Sequence, residues 1–293
     1  CVVNVHLFLR YLMGNKQNKF MKRTIFGIIL FLCTYSYSQK LTIEGIVKTN
    51  NHKKLAYVNI GIKDKNVGTI SNENGQFLIT VDTSFIKDSL TFSYLGYKNL
   101  TIKIEDIKLK KLNEFFLLEQ PTTLHEVVIS TKKRKIRKLG TTSYVSMVAG
   151  YLWSRENFEN RDIIEHAKYL NIKKPSKILN LQINLFNVFS DSITFRVNFY
   201  TIKDKLPNKK IQNVILTEKI KEGWNLFDLK DLDVSFDEPV FITLEYIPES
   251  KTDKEPCRIS GQFLGNAIQR VASLGTWNQK KGISMAMYVE IAQ

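Results

Sequence analysis

Short runs of alternating apolar and polar residues constrain the fold of this chain more than any other feature. Such alternation places every second side chain on one face of a β-strand. Within residues 41–130 it recurs in short segments, one of which contains Val58, Ile60 and Ile62, and the breaks between segments are rich in Gly, Asn and Asp. Gly75 tolerates the positive φ that a tight hairpin turn requires. The spacing predicts about seven short antiparallel strands stacked as a β-sandwich.

The same alternation returns in residues 141–293, for example at Ile193, Phe195 and Val197. It predicts a second antiparallel β-sandwich, of jelly-roll type. Residues 163–170 leave two alternatives open, because their apolar residues have helical spacing while the segment is also short enough for an extended edge strand. The fold class is therefore predicted to be all-β, with two sandwiches.

Four motifs in order carry a family resemblance. They are Glu44-Gly45-Ile46-Val47, then residues 55–60 (LAYVNI), residues 68–77 (GTISNENGQF) and residues 93–98 (SYLGYK). Together they resemble the carboxypeptidase regulatory-like domain, which implies a transthyretin-like β-sandwich over residues 39–130. The segment Leu124–Ser130 resembles the stretch that joins this domain to the plug of TonB-dependent outer-membrane transporters. The residues after 130 are too few for a plug and barrel, so a transporter-type leading domain is expected without its transporter.

The N-terminal segment predicts export. Lys22 and Arg23 follow Met21 and precede a short apolar run, and small residues stand at Ser36 and Ser38. This is the pattern of a cleaved secretory signal peptide at 21–38, with residues 1–20 as an upstream extension. An uncleaved membrane anchor is the alternative. The expected location is the periplasm or the outer membrane, and the exported part keeps a single cysteine, Cys257, which excludes an internal disulfide there.

A basic run follows the first predicted sandwich, in a chain whose formal net charge is +15. Residues 131–140 are predicted to form a solvated linker, because closely spaced like charges repel one another. A contact with anionic lipid head groups is the alternative. Nucleic acid is not an expected partner, because the run has no interleaved aromatic residues. The candidate contact residues are Lys132, Lys133, Arg134, Lys135, Arg137 and Lys138.

No motif predicts a catalytic, cofactor or metal site. The histidines of the exported part, His52, His125 and His166, lack metal-ligand spacing, and the chain has no nucleophile elbow or phosphate loop. The acidic residues between Asp228 and Glu238 match no calcium loop and are expected to be solvated. Among the three tryptophans, Trp277 is the candidate ligand contact, because its neighbours are small and polar.

These features predict an exported, non-enzymatic binding or scaffolding protein of the bacterial cell envelope. Its partner would be an envelope protein or a glycan, and no cofactor is expected. One alternative is glycan binding by the C-terminal sandwich, in which the indole of Trp277 stacks on a sugar ring. The other alternative is a hydrolase whose catalytic residues form no recognisable motif.

Overall fold

The structure of the protein is a computed structural model. It describes residues 40–293 apart from 110, 121–134, 154–159, 161, 163 and 249–254. The described residues form β-strands and short 3-10 helices and contain no α-helix, which confirms the all-β prediction. Over this part of the chain, no helix has the length and apolar character needed to cross a membrane. The predicted signal peptide and the Leu124–Ser130 motif lie outside the described residues.

The N-terminal module is a sandwich of two small sheets. The first has the strand order β4-β1-β7 and the second β3-β2-β5-β6. The pairs of the second sheet are antiparallel, as predicted, whereas β1 and β7, the first and last strands, pair in parallel. The strands are β1 (Lys40–Thr49), β2 (Asn59–Ile62), β3 (Val67–Ile70), β4 (Gln76–Asp82), β5 (Ser89–Ser93), β6 (Leu100–Lys103) and β7 (Leu112–Leu117), with 3-10 helices at Thr83–Phe85 and Ile104–Asp106.

Aromatic packing fills the space between these two sheets. The ring centroids of Phe92 and Phe115 are 4.4 Å apart, and Phe77 meets Phe92 edge-on at 5.6 Å. Gly45 lies under this cluster, where an added Cβ would come within 2.6 Å of the Phe115 ring and 2.7 Å of the Phe77 ring. The glycine of the first motif is therefore required because the aromatic core closes directly over the backbone.

The prediction of a hairpin around Gly75, at residues 71–75, is wrong. The turn joins β3 to β4, which belong to different sheets, so it crosses between the layers of the sandwich. Asn72 Oδ1 accepts hydrogen bonds from the backbone N–H groups of Asn74 and Gln76, at 2.9 Å each, and Gly75 has φ 71°. The prediction of a turn with a positive φ at Gly75 is therefore correct, but turn residues do not determine which strands pair.

The C-terminal module is built on one large antiparallel sheet. Its strand order is β13-β12-β16-β10-β17-β11-β19-β8. In addition, β9 and β18 pair with β17, whereas β14 and β15 pair with β11. The strands are β8 (Ile136–Gly140), β9 (Val145–Gly150), β10 (Glu165–Leu170), β11 (Ser176–Phe186), β12 (Ser192–Lys203), β13 (Leu206–Lys219), β14 (Gly223–Asp228), β15 (Ser235–Phe236), β16 (Val240–Ile247), β17 (Arg258–Arg270), β18 (Asn278–Met285) and β19 (Met287–Ala292); residues Lys230–Leu232 form a 3-10 helix.

This large sheet curls into two facing layers. The rings of Phe195 on β12 and Phe227 on β14 meet edge-on at 5.5 Å, so β12 and β14 face each other across the core. The long strand β17 connects the layers, because it pairs with β11 near Arg258 and with β10 near Arg270. The second sandwich is thus confirmed, but its layers are hydrogen-bonded to each other through β17.

Two local expectations are corrected here. Residues Glu165–Leu170 form β10, which lies between β16 and β17 inside the sheet, so this segment is neither a helix nor an edge strand. Residues Ile136–Gly140, predicted as the end of the linker, form the edge strand β8 paired with β19. Backbone pairing prevails in β8 because its charged side chains are exposed and water screens their repulsion.

Candidate functional site at the junction of the modules

Four charged residues from four neighbouring strands lie side by side in the large sheet. The strand register places Arg196 opposite Glu245, Glu245 opposite Glu165, and Glu165 opposite Arg270. Two carboxylates directly opposite each other are destabilising, and the flanking arginines compensate that repulsion. All four side chains are buried, with exposures between 1 and 7%. We refer to Arg196, Glu245, Glu165 and Arg270 as the charged row.

Hydrogen bonds satisfy the carboxylates of the charged row. Arg196 Nε donates to Glu245 Oε2 at 2.7 Å, and Arg270 Nε donates to Glu165 Oε2 at 2.7 Å. The amide of Asn198 bridges the two acids, donating to Glu165 Oε1 at 2.9 Å and to Glu245 Oε2 at 3.2 Å. Buried charges are tolerated only when paired and hydrogen-bonded in this way.

The electrostatics of the charged row keep Glu245 ionised. Burial alone would raise the pKa of the Glu245 carboxyl, but the positive charges of Arg196, Lys210 and Arg270 outweigh burial and hold that pKa below its usual range. Burial, helped by repulsion from Arg196, lowers the pKa of Lys210 to about 8. Glu245 is therefore a fixed ion-pair partner at neutral pH rather than a group that exchanges protons.

The N-terminal module sits directly on the charged row. Arg196 Nη1 donates to the backbone oxygen of Tyr57, and Arg196 Nη2 donates to Asn59 Oδ1 at 2.9 Å. Asn59 Nδ2 in turn donates to Glu245 Oε1 at 2.7 Å. Tyr57 has a positive φ of 60°, which is uncommon for a residue other than glycine. The amide of Asn59 is thus inserted into an ion pair of the other module.

Two glycines allow a second close contact between the modules. Asp162 accepts hydrogen bonds from the backbone N–H and the hydroxyl of Ser273, at 2.7 and 2.9 Å. A Cβ added at Gly61 would lie 2.5 Å from the Ser273 backbone oxygen, and one at Gly68 would lie 2.7 Å from Asp162 Oδ2. Any side chain at these two positions would push the modules apart.

A third contact lies against strand β4. Asn160 pairs with Thr80 through both groups of its amide: its Oδ1 accepts from Thr80 N at 2.6 Å and its Nδ2 donates to Thr80 O at 2.9 Å. Thr69 Oγ1 donates to the backbone oxygen of Asn160 at 2.8 Å. With these contacts, Leu41–Gln293 forms one compact unit.

Trp277, the predicted ligand contact, lies beside the charged row. The guanidinium of Arg270 is 4.9 Å from the centroid of its ring, and Tyr200 meets the indole edge-on at 5.8 Å. The side chain is half-buried. Trp153 is buried and stacks on Tyr246, while Trp224 is half-buried against Tyr288. One face of the Trp277 indole is therefore occupied by a cation of its own chain.

The remaining predicted residues are dispersed. Lys135 and Arg137 are exposed, and Lys138 lies over the Tyr288 ring at 4.9 Å; Lys132, Lys133, Arg134 and His125 lie outside the described residues. His166 is buried, its Nε2 lies 2.7 Å from the backbone oxygen of Tyr151, and burial lowers its pKa. In the part of the chain that the structure describes, no three His, Cys, Asp or Glu side chains could hold a metal together.

The sequence did not reveal the charged row, because alternation with Ile193, Phe195 and Val197 on the buried face leaves Arg196 and Asn198 on the opposite face, which was expected to be solvated. In fact every residue from Ile193 to Tyr200 is buried, so β12 is covered on both faces. A weak signal exists in Val240–Ile247, where Thr243 and Glu245 are the polar residues in an otherwise apolar run. An isolated charge in such a run indicates a buried partner of opposite sign.

Comparisons with known proteins identify one region of the chain. Residues 43–129 match the family model of the CarboxypepD_reg-like domain. No curated protein matches the chain. Among solved structures, a chain from infectious bursal disease virus, Gx strain, is 9% identical with a TM-score of 0.24, and the match covers 86% of this chain and 55% of that one. BcpA, the major pilin subunit of Bacillus cereus, is 12% identical with a TM-score of 0.18, covering 84% and 69%. At these TM-scores neither likeness bears on function.

Proposed function

We propose, from the premise that residues 43–129 form a carboxypeptidase regulatory-like domain, that this chain is an exported, non-enzymatic scaffolding protein of the bacterial cell envelope. Its C-terminal sandwich would hold the regulatory-like domain in one fixed orientation for a partner. The observation that supports this proposal is the buried junction, where Asn59 completes the ion pair of Arg196 and Glu245. A flexible tether between the two modules would need no buried ion pair at their junction.

The state of the two glutamates favours a structural role over catalysis. A general acid or base must come within hydrogen-bond reach of its substrate. Glu165 and Glu245 are 2% and 1% exposed, and arginine, asparagine and tyrosine donors already use their oxygens. A substrate could reach these carboxylates only if the N-terminal module moved away.

Edge strands are the surfaces through which a partner would bind. An unpaired strand edge can accept a strand from another protein through backbone hydrogen bonds. In the N-terminal module β6 and β7 lie at sheet edges, and in the C-terminal module β8 and β13 do. Lys135 lies next to β8, Arg137 lies on it, and both side chains are exposed. Their positive charges would add attraction to an acidic protein or an anionic lipid surface.

Cross-linking in the native envelope tests the proposal. We would compare the tagged full chain, a chain lacking residues 41–130, and Gly68→Val, which forces the modules apart. Lys87→Ala, at an exposed position, is the matched control. We expect the first two changes to alter the cross-linked proteins and the control to leave them unchanged. If all four chains occupy the same envelope fraction with the same partners, the regulatory-like domain does not serve as a positioned scaffold.

Glycan binding through Trp277 is the second candidate, favoured by the half-exposed indole at the surface of the junction. Arg270 covers one ring face, so a sugar would stack on the other. Calorimetry of envelope polysaccharides against the full chain and Trp277→Ala tests this idea. Binding that Trp277→Ala abolishes would support it, whereas a hydrolase would instead be revealed by turnover of ester, peptide or glycoside substrates.

A further inference from the structure

A pocket of about 770 Å³ opens in the C-terminal module where β10 and β17 separate. These strands pair only from Glu165 to Ala167, although β10 continues to Leu170 alongside β16. On the other side β17 is bulged at Leu264 and Gly265, which have φ values of 75° and 90°. The pocket is therefore a gap within the sheet, bordered by side chains from both of its faces.

Lys168 borders this gap and is 8% exposed. Its ammonium donates to Thr141 Oγ1 at 2.8 Å and to Ser284 Oγ at 2.5 Å. Both acceptors are neutral hydroxyls, and an ammonium has a third donor to offer. None of the ion pairs among the described residues includes Lys168. Within the described ranges this buried charge therefore has no counterion at ion-pair distance, a costly arrangement in a folded protein.

Part of the pocket wall is apolar and aromatic, and the lining also includes polar side chains and the exposed, oppositely charged Lys205 and Glu238. Tyr169 and Phe241 meet edge-on with ring centroids 5.7 Å apart, and Ile202 and Ile268 extend the same surface. The volume falls in the range of pockets that take small organic ligands. Such a wall suits a ring or a branched carbon skeleton, whereas inorganic phosphate would leave it unfilled.

We propose that this pocket binds a small organic carboxylate with an aromatic or branched apolar body. The carboxylate would accept the free donor of Lys168 and become its missing counterion, while the body packs on Tyr169 and Phe241. Neither the charged row nor Trp277 lines this pocket, although Trp277 packs against the cluster that contains Phe241 and Ile268 of its wall. The proposal does not depend on the scaffold role.

Paired probes of similar shape test the charge requirement. Benzoate and its neutral analogue benzamide would be titrated calorimetrically into the full chain, into Lys168→Met, and into Lys173→Met as an exposed control. We expect the full chain and Lys173→Met to prefer benzoate, and Lys168→Met to bind benzoate roughly tenfold or more weakly, because a charge-assisted hydrogen bond is lost. Equal affinity for both probes, or no benzoate binding up to about 10 mM, would overturn the proposal.

A second measurement avoids dependence on the variant. Acetylation of the unmodified chain with acetic anhydride, followed by mass spectrometry, reports how fast each lysine reacts. Benzoate should slow acetylation of Lys168 several-fold but leave that of the exposed Lys173, which does not line the pocket, unchanged. Benzamide should protect neither lysine. Protection of Lys168 by both probes, or by neither, contradicts a carboxylate held by its ammonium.

Discussion

Replacing Arg196 by Met is the sharpest perturbation of the junction between the modules. Arg196 is 1% exposed and donates to Glu245, to the Tyr57 backbone oxygen and to Asn59. The methionine keeps the length of the side chain but supplies no donor. Glu245 would be left as a buried carboxylate without its principal cation.

The expected loss in the free energy of unfolding depends on Glu245, which stays buried and charged when Arg196 is replaced. Breaking a buried ion pair from one side costs about 3–5 kcal/mol, because an uncompensated charge stays in the interior. The double variant Arg196→Met/Glu245→Gln removes both charges and should recover roughly 2 kcal/mol of that loss, as coupled neighbours do. By contrast, Lys103→Met removes a surface pair with Glu105, whose two side chains are 62% and 44% exposed. That change should cost below about 1 kcal/mol.

Urea unfolding followed by tryptophan fluorescence measures these differences in the free energy of unfolding. The pH dependence provides a second readout. In the wild type the lowered pKa of Glu245 adds stability above the ordinary carboxyl range near pH ~4.5, and that stability is lost as the pH falls further. Arg196→Met should flatten this acid loss. A cost below about 1 kcal/mol, or a double variant no more stable than the single one, would refute the account of the charged row.

Three further predictions concern other positions. Gly68→Val should destabilise the chain by roughly 1–3 kcal/mol in urea unfolding, because a Cβ there would meet Asp162 Oδ2 at 2.7 Å; wild-type stability would show that the modules have room to separate. Burial lowers the pKa of Lys168 to about 8, so the unfolded chain binds more protons from about pH 8 to 10.4 and stability should rise with pH there. Lys168→Met should remove the share of that rise due to Lys168, while Lys210, whose pKa burial also lowers to about 8, keeps its own share. The variant should add up to about 3 kcal/mol at pH 7, and a loss of stability would contradict it. Cys257 is fully buried and burial raises its pKa to about 12, so in a chain beginning at Gln39 its thiol should react with Ellman's reagent only on unfolding; rapid reaction of the folded chain would disprove this.

The sequence alone predicted the all-β class, the N-terminal sandwich and several of the strands. Alternation is a local property with a period of two residues, so Val58, Ile60 and Ile62 could be assigned to one strand face without knowing their partners. The ordered motifs identified the same region that matches the family model, residues 43–129. Gly45 and Gly68 belong to those motifs, and the structure supplies their reasons: an aromatic core over the first and a second module against the other.

Only the tertiary structure determined what covers the second face of each strand. Alternation shows which residues share a face, but burial of both faces in β12 depends on the N-terminal module, far away in sequence. Strand register is likewise long-range, and it alone aligned Arg196, Glu245, Glu165 and Arg270. The same holds for β8 and for the gap beside Lys168, because which strands pair, and where pairing stops, depends on the packing of the whole sheet.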